Sequence, residues 1–113
     1  MRNPQVISLG SIAVSCLASG ALLAQESAVE RRGNEVFRYW CAACHAPGPR
    51  HPGTQALDAL YKGAKPGALE ERTDLTPEIT TTFVRAGVSV MPPFRKTEIS
   101  DADLAALAAY LAP

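Results

Sequence analysis

Five consecutive residues, Cys41-Ala42-Ala43-Cys44-His45, constrain this chain more than any other feature. They set two thiols three positions apart, with an imidazole directly after the second, on what one turn of helix would bring to a single side. The two cysteines are too close in sequence for a disulfide between them to close a useful loop, so a disulfide scaffold is excluded. The chain nonetheless needs a staple. Residues 25–113 amount to one small domain, and a domain of that size buries only about 60–65% of the surface of its unfolded chain.

The first 24 residues stand apart from that domain. Arg2 charges the N-terminus, Val6 to Ala24 carries no charge, and Leu22-Leu23-Ala24 ends on the small residue that a signal peptidase needs. This predicts a cleaved signal peptide over 1–24, export to the periplasm and a mature domain over 25–113. Ser8, Gly10, Ser11, Ser15, Ser19 and Gly20 dilute the apolar run, so no stable membrane association is expected. Cys16 follows Ala13-Val14-Ser15, a poor acylation box, and is expected to leave with the signal. The whole chain balances 11 basic against 11 acidic side chains, which gives no basic excess for nucleic acid. Its 47% apolar content is too high for a disordered chain.

The pentapeptide has the C-x-x-C-H pattern of covalent haem c attachment. The thiols of Cys41 and Cys44 would add across the two vinyl groups, and His45 would then lie under the macrocycle as an axial ligand to iron. Two other readings compete. A thioredoxin-like redox pair needs a strand before the motif and a helix after it, and no parallel-sheet pattern is present. A zinc site would have to draw on Cys41, Cys44, His45 and His51, without a second paired motif. Haem c attachment requires an oxidising compartment, and the signal peptide supplies one by an argument that shares no residue with the motif.

With Met1 removed, Met91 is the one thioether left, in Gly87-Val88-Ser89-Val90-Met91-Pro92-Pro93-Phe94. Two prolines after it fix φ and remove two N–H donors that an apolar haem crevice could not satisfy. Met91 is therefore the expected second axial ligand, and His51 is the competitor, six positions from His45 and expected as an exposed loop residue.

Helical periodicity surrounds these residues. From Ala28, an amphipathic helix is expected to bury Gly33, Val36, Phe37 and Trp40 and to run into the motif. Residues 46–53, rich in Pro and Gly, read as a loop. One of its carbonyls, Pro52 by expectation, should accept the Nδ1–H of His45. Thr54 to Tyr61 reads as a short helix with Ala56, Leu57 and Leu60 inward. Thr76-Pro77-Glu78 starts another that carries Ile79, Phe83 and Val84 to Gly87. Ser100 caps a last helix, with Asp103 reaching back and Leu104, Leu107, Ala108 and Leu111 buried. With no strand-like alternation, the fold class is all-α.

This order of motifs resembles the class I cytochrome c fold. The family crosses its first and last helices at a small residue beside aromatic partners, and Gly33, Phe37, Leu107 and Tyr110 match those places. A closer resemblance lies in His51-Pro52-Gly53-Thr54 and in Tyr61-Lys62-Gly63-Ala64. It continues through Glu71-Arg72-Thr73-Asp74-Leu75-Thr76-Pro77 and Phe83-Val84-Arg85-Ala86-Gly87-Val88-Ser89-Val90-Met91-Pro92 to Phe94-Arg95-Lys96-Thr97-Glu98-Ile99-Ser100-Asp101. These stretches are similar to the cytochrome subunit of p-cresol methylhydroxylase and its relatives that oxidise 4-alkylphenols. The resemblance implies a partner flavoprotein that holds FAD, a heterotetramer of two flavoprotein and two cytochrome subunits, and a soluble acceptor such as a copper protein or another cytochrome.

On that reading the chain does no bond chemistry of its own and has no catalytic residue. Its haem c, bound through Cys41, Cys44, His45 and Met91, takes electrons one at a time. The expected docking edge is apolar, with Ala42, Ala43, Pro92, Pro93 and Phe94 bordered by Arg50, Arg95 and Lys96. A free-standing periplasmic shuttle is the alternative, and it would bind partners transiently through a charged ring.

Overall fold

The first helix of the domain ends in a wider turn, and that turn sets the direction of everything after it. The computed structural model describes residues 15–113, with side chains described from residue 25. Most of the expected signal segment therefore lies outside the described residues. Helix α1 (Ser15–Val36) passes into a π-helical turn, Phe37–Cys41, where the Ala42 N–H donates to the Phe37 carbonyl. That bond spans five residues instead of four and inserts one extra residue into the repeat. The short α2 (Ala42–His45) follows, closed by the Ala46 N–H on the Ala42 carbonyl at 3.0 Å. Trp40, expected on the buried stripe, is consequently rotated off it and is 37% exposed, whereas Phe37 is 1% exposed.

Helix α3 (Pro52–Tyr61) begins earlier than expected, with Pro52 at its first position, where the missing N–H costs nothing. It buries Thr54, and Ala56 and Leu60, expected inward, are exposed. The stretch after it holds one 3₁₀ turn, Leu69–Glu71, and is tied together by Arg72. The buried Arg72 guanidinium donates to Tyr61 Oη at 3.1 Å and grips both carboxylate oxygens of Asp74. Lys65 donates to the same carboxylate at 2.9 Å.

Helix α4 (Pro77–Ala86) is capped by Thr76, whose side chain accepts from the Ile79 N–H at 3.3 Å. Thr80 and Val84 form its buried stripe, whereas Ile79 and Phe83, expected inward, are exposed. The helix has apolar residues on two neighbouring stripes, and only the one carrying Val84 packs on the protein core. Helix α5 (Asp101–Leu111) starts as expected at Ser100, whose side chain accepts from the Asp103 N–H at 3.1 Å. The Asp103 carboxylate, expected to reach back to the cap, accepts instead from Arg32 Nε of α1 at 2.7 Å.

Helices α1 and α5 cross at Gly33, as expected. A Cβ there would collide with the Ala106 carbonyl and the Tyr110 Cβ, so only glycine permits this approach. The Phe37 and Tyr110 rings lie beside the crossing with centroids 6.0 Å apart, and Asn34 Nδ2 donates to Tyr110 Oη at 2.7 Å. Val36, Phe37, Leu75, Val84, Ile99, Leu104, Leu107 and Leu111 form the core. Among the described residues there is no strand beyond an isolated pairing of Val88 with Met91, and no helix is long and apolar enough to cross a membrane. The absence of a sheet leaves the thioredoxin-like reading without its scaffold.

Candidate functional site

The π-helical turn delivers Cys41 to the edge of the core, where it is half-buried against the apolar cluster, and leaves Cys44 exposed. Both thiols are free. Burial, and secondarily the neighbouring Cys44, pushes the Cys41 thiol up to about 11. His45 follows one residue later, half-buried, and burial lowers its pKa, which favours the neutral ring.

The environment of His45 corrects one expectation. Its Nδ1 is buried and has no hydrogen-bond partner, so Pro52 does not accept it. Pro52 is the first residue of α3, and its carbonyl is committed to the helical ladder. The ring instead lies close against Gly53. A Cβ at that position would stand 2.6 Å from His45 Cε1 and 2.8 Å from Nδ1. With Nδ1 turned into the protein, Nε2 is the nitrogen left to coordinate a metal.

The start of α3 is laced onto the motif by side chains. His51 Nδ1 donates to the Ala43 carbonyl at 3.1 Å, Thr54 Oγ1 to the Ala46 carbonyl at 2.9 Å, and Gln55 Nε2 to the Pro49 carbonyl. His51 is therefore engaged with the backbone of the motif itself.

Met91 sits on a tight turn. The Val88 N–H donates to the Met91 carbonyl at 3.0 Å, the Met91 N–H returns to the Val88 carbonyl at 2.9 Å, and Ser89 takes φ +54° between them. Gly87 enters the turn at φ +68°, and a Cβ there would stand 2.7 Å from the Met91 oxygen and from the Pro93 nitrogen. Glycine is required at this position on both grounds. The Met91 side chain is half-buried and packs on the same core cluster as Cys41.

Aromatic rings join the two segments. Trp40, adjacent to Cys41, meets Phe94 edge to face at 5.8 Å and Tyr39 at 4.9 Å. Phe94 thus closes the core as well as bordering the site. Large apolar side chains stand exposed on the flanking elements: Leu60 of α3, Ile79 and Phe83 of α4, and Val88 and Val90 of the turn.

These residues fit a haem c. The donor set comprises two free thiols, one imidazole whose Nδ1 is buried, and one thioether, with apolar side chains nearby. Among the described residues no group of three or more His, Cys, Asp or Glu gathers to hold a metal ion, which leaves the zinc reading without its ligand set. Of the expected rim cations, Lys96 pairs with Asp101 at 2.7 Å and Arg95 with Glu98 at 3.5 Å, while Arg50 is exposed. Gly53 and Arg85 escaped the sequence reading: a loop glycine and a basic residue in a helix's last turn look ordinary until their neighbours are known.

The model of the family described as cytochrome c oxidase, cbb3-type, subunit III, matches residues 28–111, which span the domain from within α1 to the end of α5. No curated protein and no solved structure matches the chain.

Proposed function

We propose a function from the premise that this chain belongs to the family of cytochrome c oxidase, cbb3-type, subunit III: it is a class I cytochrome c domain and a monohaem electron-transfer cytochrome. In our reading Cys41 and Cys44 would hold one haem c as thioethers, and His45 and Met91 would ligate its iron. When bound, this group supplies a one-electron Fe(III)/Fe(II) couple, and the thioether favours the reduced state.

The residues of the chain do the rest. Cys41 anchors on the core, Gly53 leaves the room that the His45 ring occupies, and the turn from Gly87 holds Met91 in place. With His45 and Met91 both given to the iron, the site would leave no position for a substrate, and bond chemistry would belong elsewhere. The finer proposal is that the chain is the electron-transfer subunit of a flavocytochrome of the p-cresol methylhydroxylase type. It would take electrons from the FAD of a flavoprotein that oxidises 4-alkylphenols, in an assembly of two flavoprotein and two cytochrome subunits. A soluble periplasmic carrier would receive them, and residues 1–24 would serve as the export signal.

One observation supports a lasting partner over a transient one. Large apolar or aromatic side chains stand exposed beside both Cys41 and Met91, with Tyr39 79% and Val90 96% exposed, although Arg38 and Ser89 are exposed there too. The nearby cations Arg95 and Lys96 are already paired within the chain. Stable interfaces have apolar centres, whereas transient electron carriers rely on charge steering. Affinity purification of the tagged cytochrome from its native periplasm tests this. The expected result is a co-purifying flavoprotein and haem reduction by a 4-alkylphenol that slows sharply when the flavoprotein is removed. A cytochrome that elutes alone and accepts electrons equally well from unrelated donors is the free-standing shuttle instead.

A further inference from the structure

One side chain ties the Met91 segment to the helices on either side of it. Arg85, in the last turn of α4, sends Nη1 to two backbone carbonyls, Phe94 at 3.0 Å and Ile99 at 2.9 Å. Its Nη2 donates to Asp101 Oδ1 of α5 at 2.9 Å. The guanidinium is largely buried, with 23% of the side chain exposed, and Ile99 is fully buried. The remaining bonds of the segment include the Val88–Met91 pair, the Phe94 N–H to the Val84 carbonyl at 2.8 Å, and the Arg95–Glu98 turn. Besides Arg85, the link from the far limb, residues 94–99, to α5 is the Lys96–Asp101 pair at 2.7 Å, whose two side chains are both exposed and so hold little. A planar fork that reaches two carbonyls and a carboxylate together is a task for arginine, since a lysine is a single point donor.

We propose that Arg85 is the positioning residue that keeps the Met91 thioether on the haem iron by clamping the limb that follows Met91, at Phe94 and Ile99, to α4 and α5. The inference rests on the reading of Met91 as axial ligand and deepens it. Loss of the fork strands two carbonyls and frees the segment to swing, so an exogenous ligand competes better for the sixth position. The loop's two prolines limit its internal freedom, which directs that swing into a hinge at Gly87 and Ser89, the two left-handed residues that flank Val88.

The test uses the holoprotein, with imidazole as the competing ligand and the weak red thioether-to-iron absorption band as the reporter. Arg85→Gln should raise the affinity for imidazole about tenfold or more, the equivalent of losing one buried charged hydrogen-bond set. It should also make the band disappear on warming well before the helical circular dichroism signal is lost. Arg85→Lys should fall between Arg85→Gln and the native protein. Leu111→Ala serves as control, because it weakens the core at the far end of α5. It should lower the melting temperature with the band and the imidazole affinity unchanged below melting. If Arg85→Gln fails to fold, Arg85→Lys carries the same comparison. Native-like imidazole affinity and a native-like band in the folded Arg85 variants overturn the proposal. So does an effect no larger than that of Leu111→Ala at equal loss of melting temperature. A native holoprotein without the band, or one whose band survives Met91→Ala, overturns the ligand reading itself and is told apart by that spectrum.

Discussion

The crossing of α1 and α5 and the loop that carries Met91 are built on opposite principles. At the crossing, backbones touch because Gly33 has no side chain, and Phe37, Leu104, Leu107 and Leu111 exclude water around the contact. At the loop, hydrogen bonds to Arg85 and a glycine with positive φ hold a segment whose side chains are mostly exposed. Apolar packing is undirected and tolerates small shifts of rotamer. The loop's bonds are directional, so it either keeps its shape or loses it. The first region secures the fold, and the second secures the position of one sulfur atom.

Substitutions can push these regions apart. The largest effect is expected for Cys41→Ala or Cys44→Ala, which should remove stable covalent holoprotein altogether. Mass spectrometry of the periplasmic product would then show the bare processed chain, and a full haem adduct would contradict the attachment. Met91→Ala comes next. It should open the sixth position to carbon monoxide and lower the reduction potential while leaving the α1–α5 crossing intact, and an unchanged potential would remove Met91 from the ligand set.

Gly33→Val acts on the other region, forcing the terminal helices apart at a cost of about 1–3 kcal/mol. Its thermal melt should drop with the red absorption band preserved at room temperature, and an unaffected melt would mean that the helices do not meet there. The smallest effect is expected for Asp103→Asn, which breaks the solvent-screened Arg32 pair and should change stability only slightly. Arg32 holds the Asp103 carboxyl below its usual range, so this contribution is present above the ordinary carboxylate pKa and fades as the pH falls through the lowered value. The difference between native protein and Asp103→Asn should therefore vanish in acid, and a difference that persists there would point to packing.

What the sequence made legible follows the same division. The crossing could be expected because Gly33, Phe37, Leu107 and Tyr110 stand at the places where the class I cytochrome c family, which the chain resembles, crosses its terminal helices, and the structure brings Gly33 and Phe37 against Tyr110 there. The caps at Thr76 and Ser100 were legible because a cap is local. Ile79, Phe83, Leu60 and Trp40 were all assigned inward and stand at least partly exposed, since periodicity reveals that a face is apolar but not what it faces. The roles of Arg85 and Gly53 depend on partners many positions away or on a ring's orientation, and neither leaves a local pattern. Pro52 failed as an acceptor because the loop ended, and a helix began, sooner than its composition implied.

The widened turn at Phe37–Cys41 acts as a phase shifter between two instructions in one continuous helical segment. Residues before it are aimed by what α5 requires, and the thiols after it by what they are to bind. Were the same residues wound as an ordinary α-helix instead, both sulfurs would swing around the axis by about 100°, one residue's step. The helices could still dock while the cysteines pointed elsewhere, so assembly of the fold and capture of its pigment would become separable events.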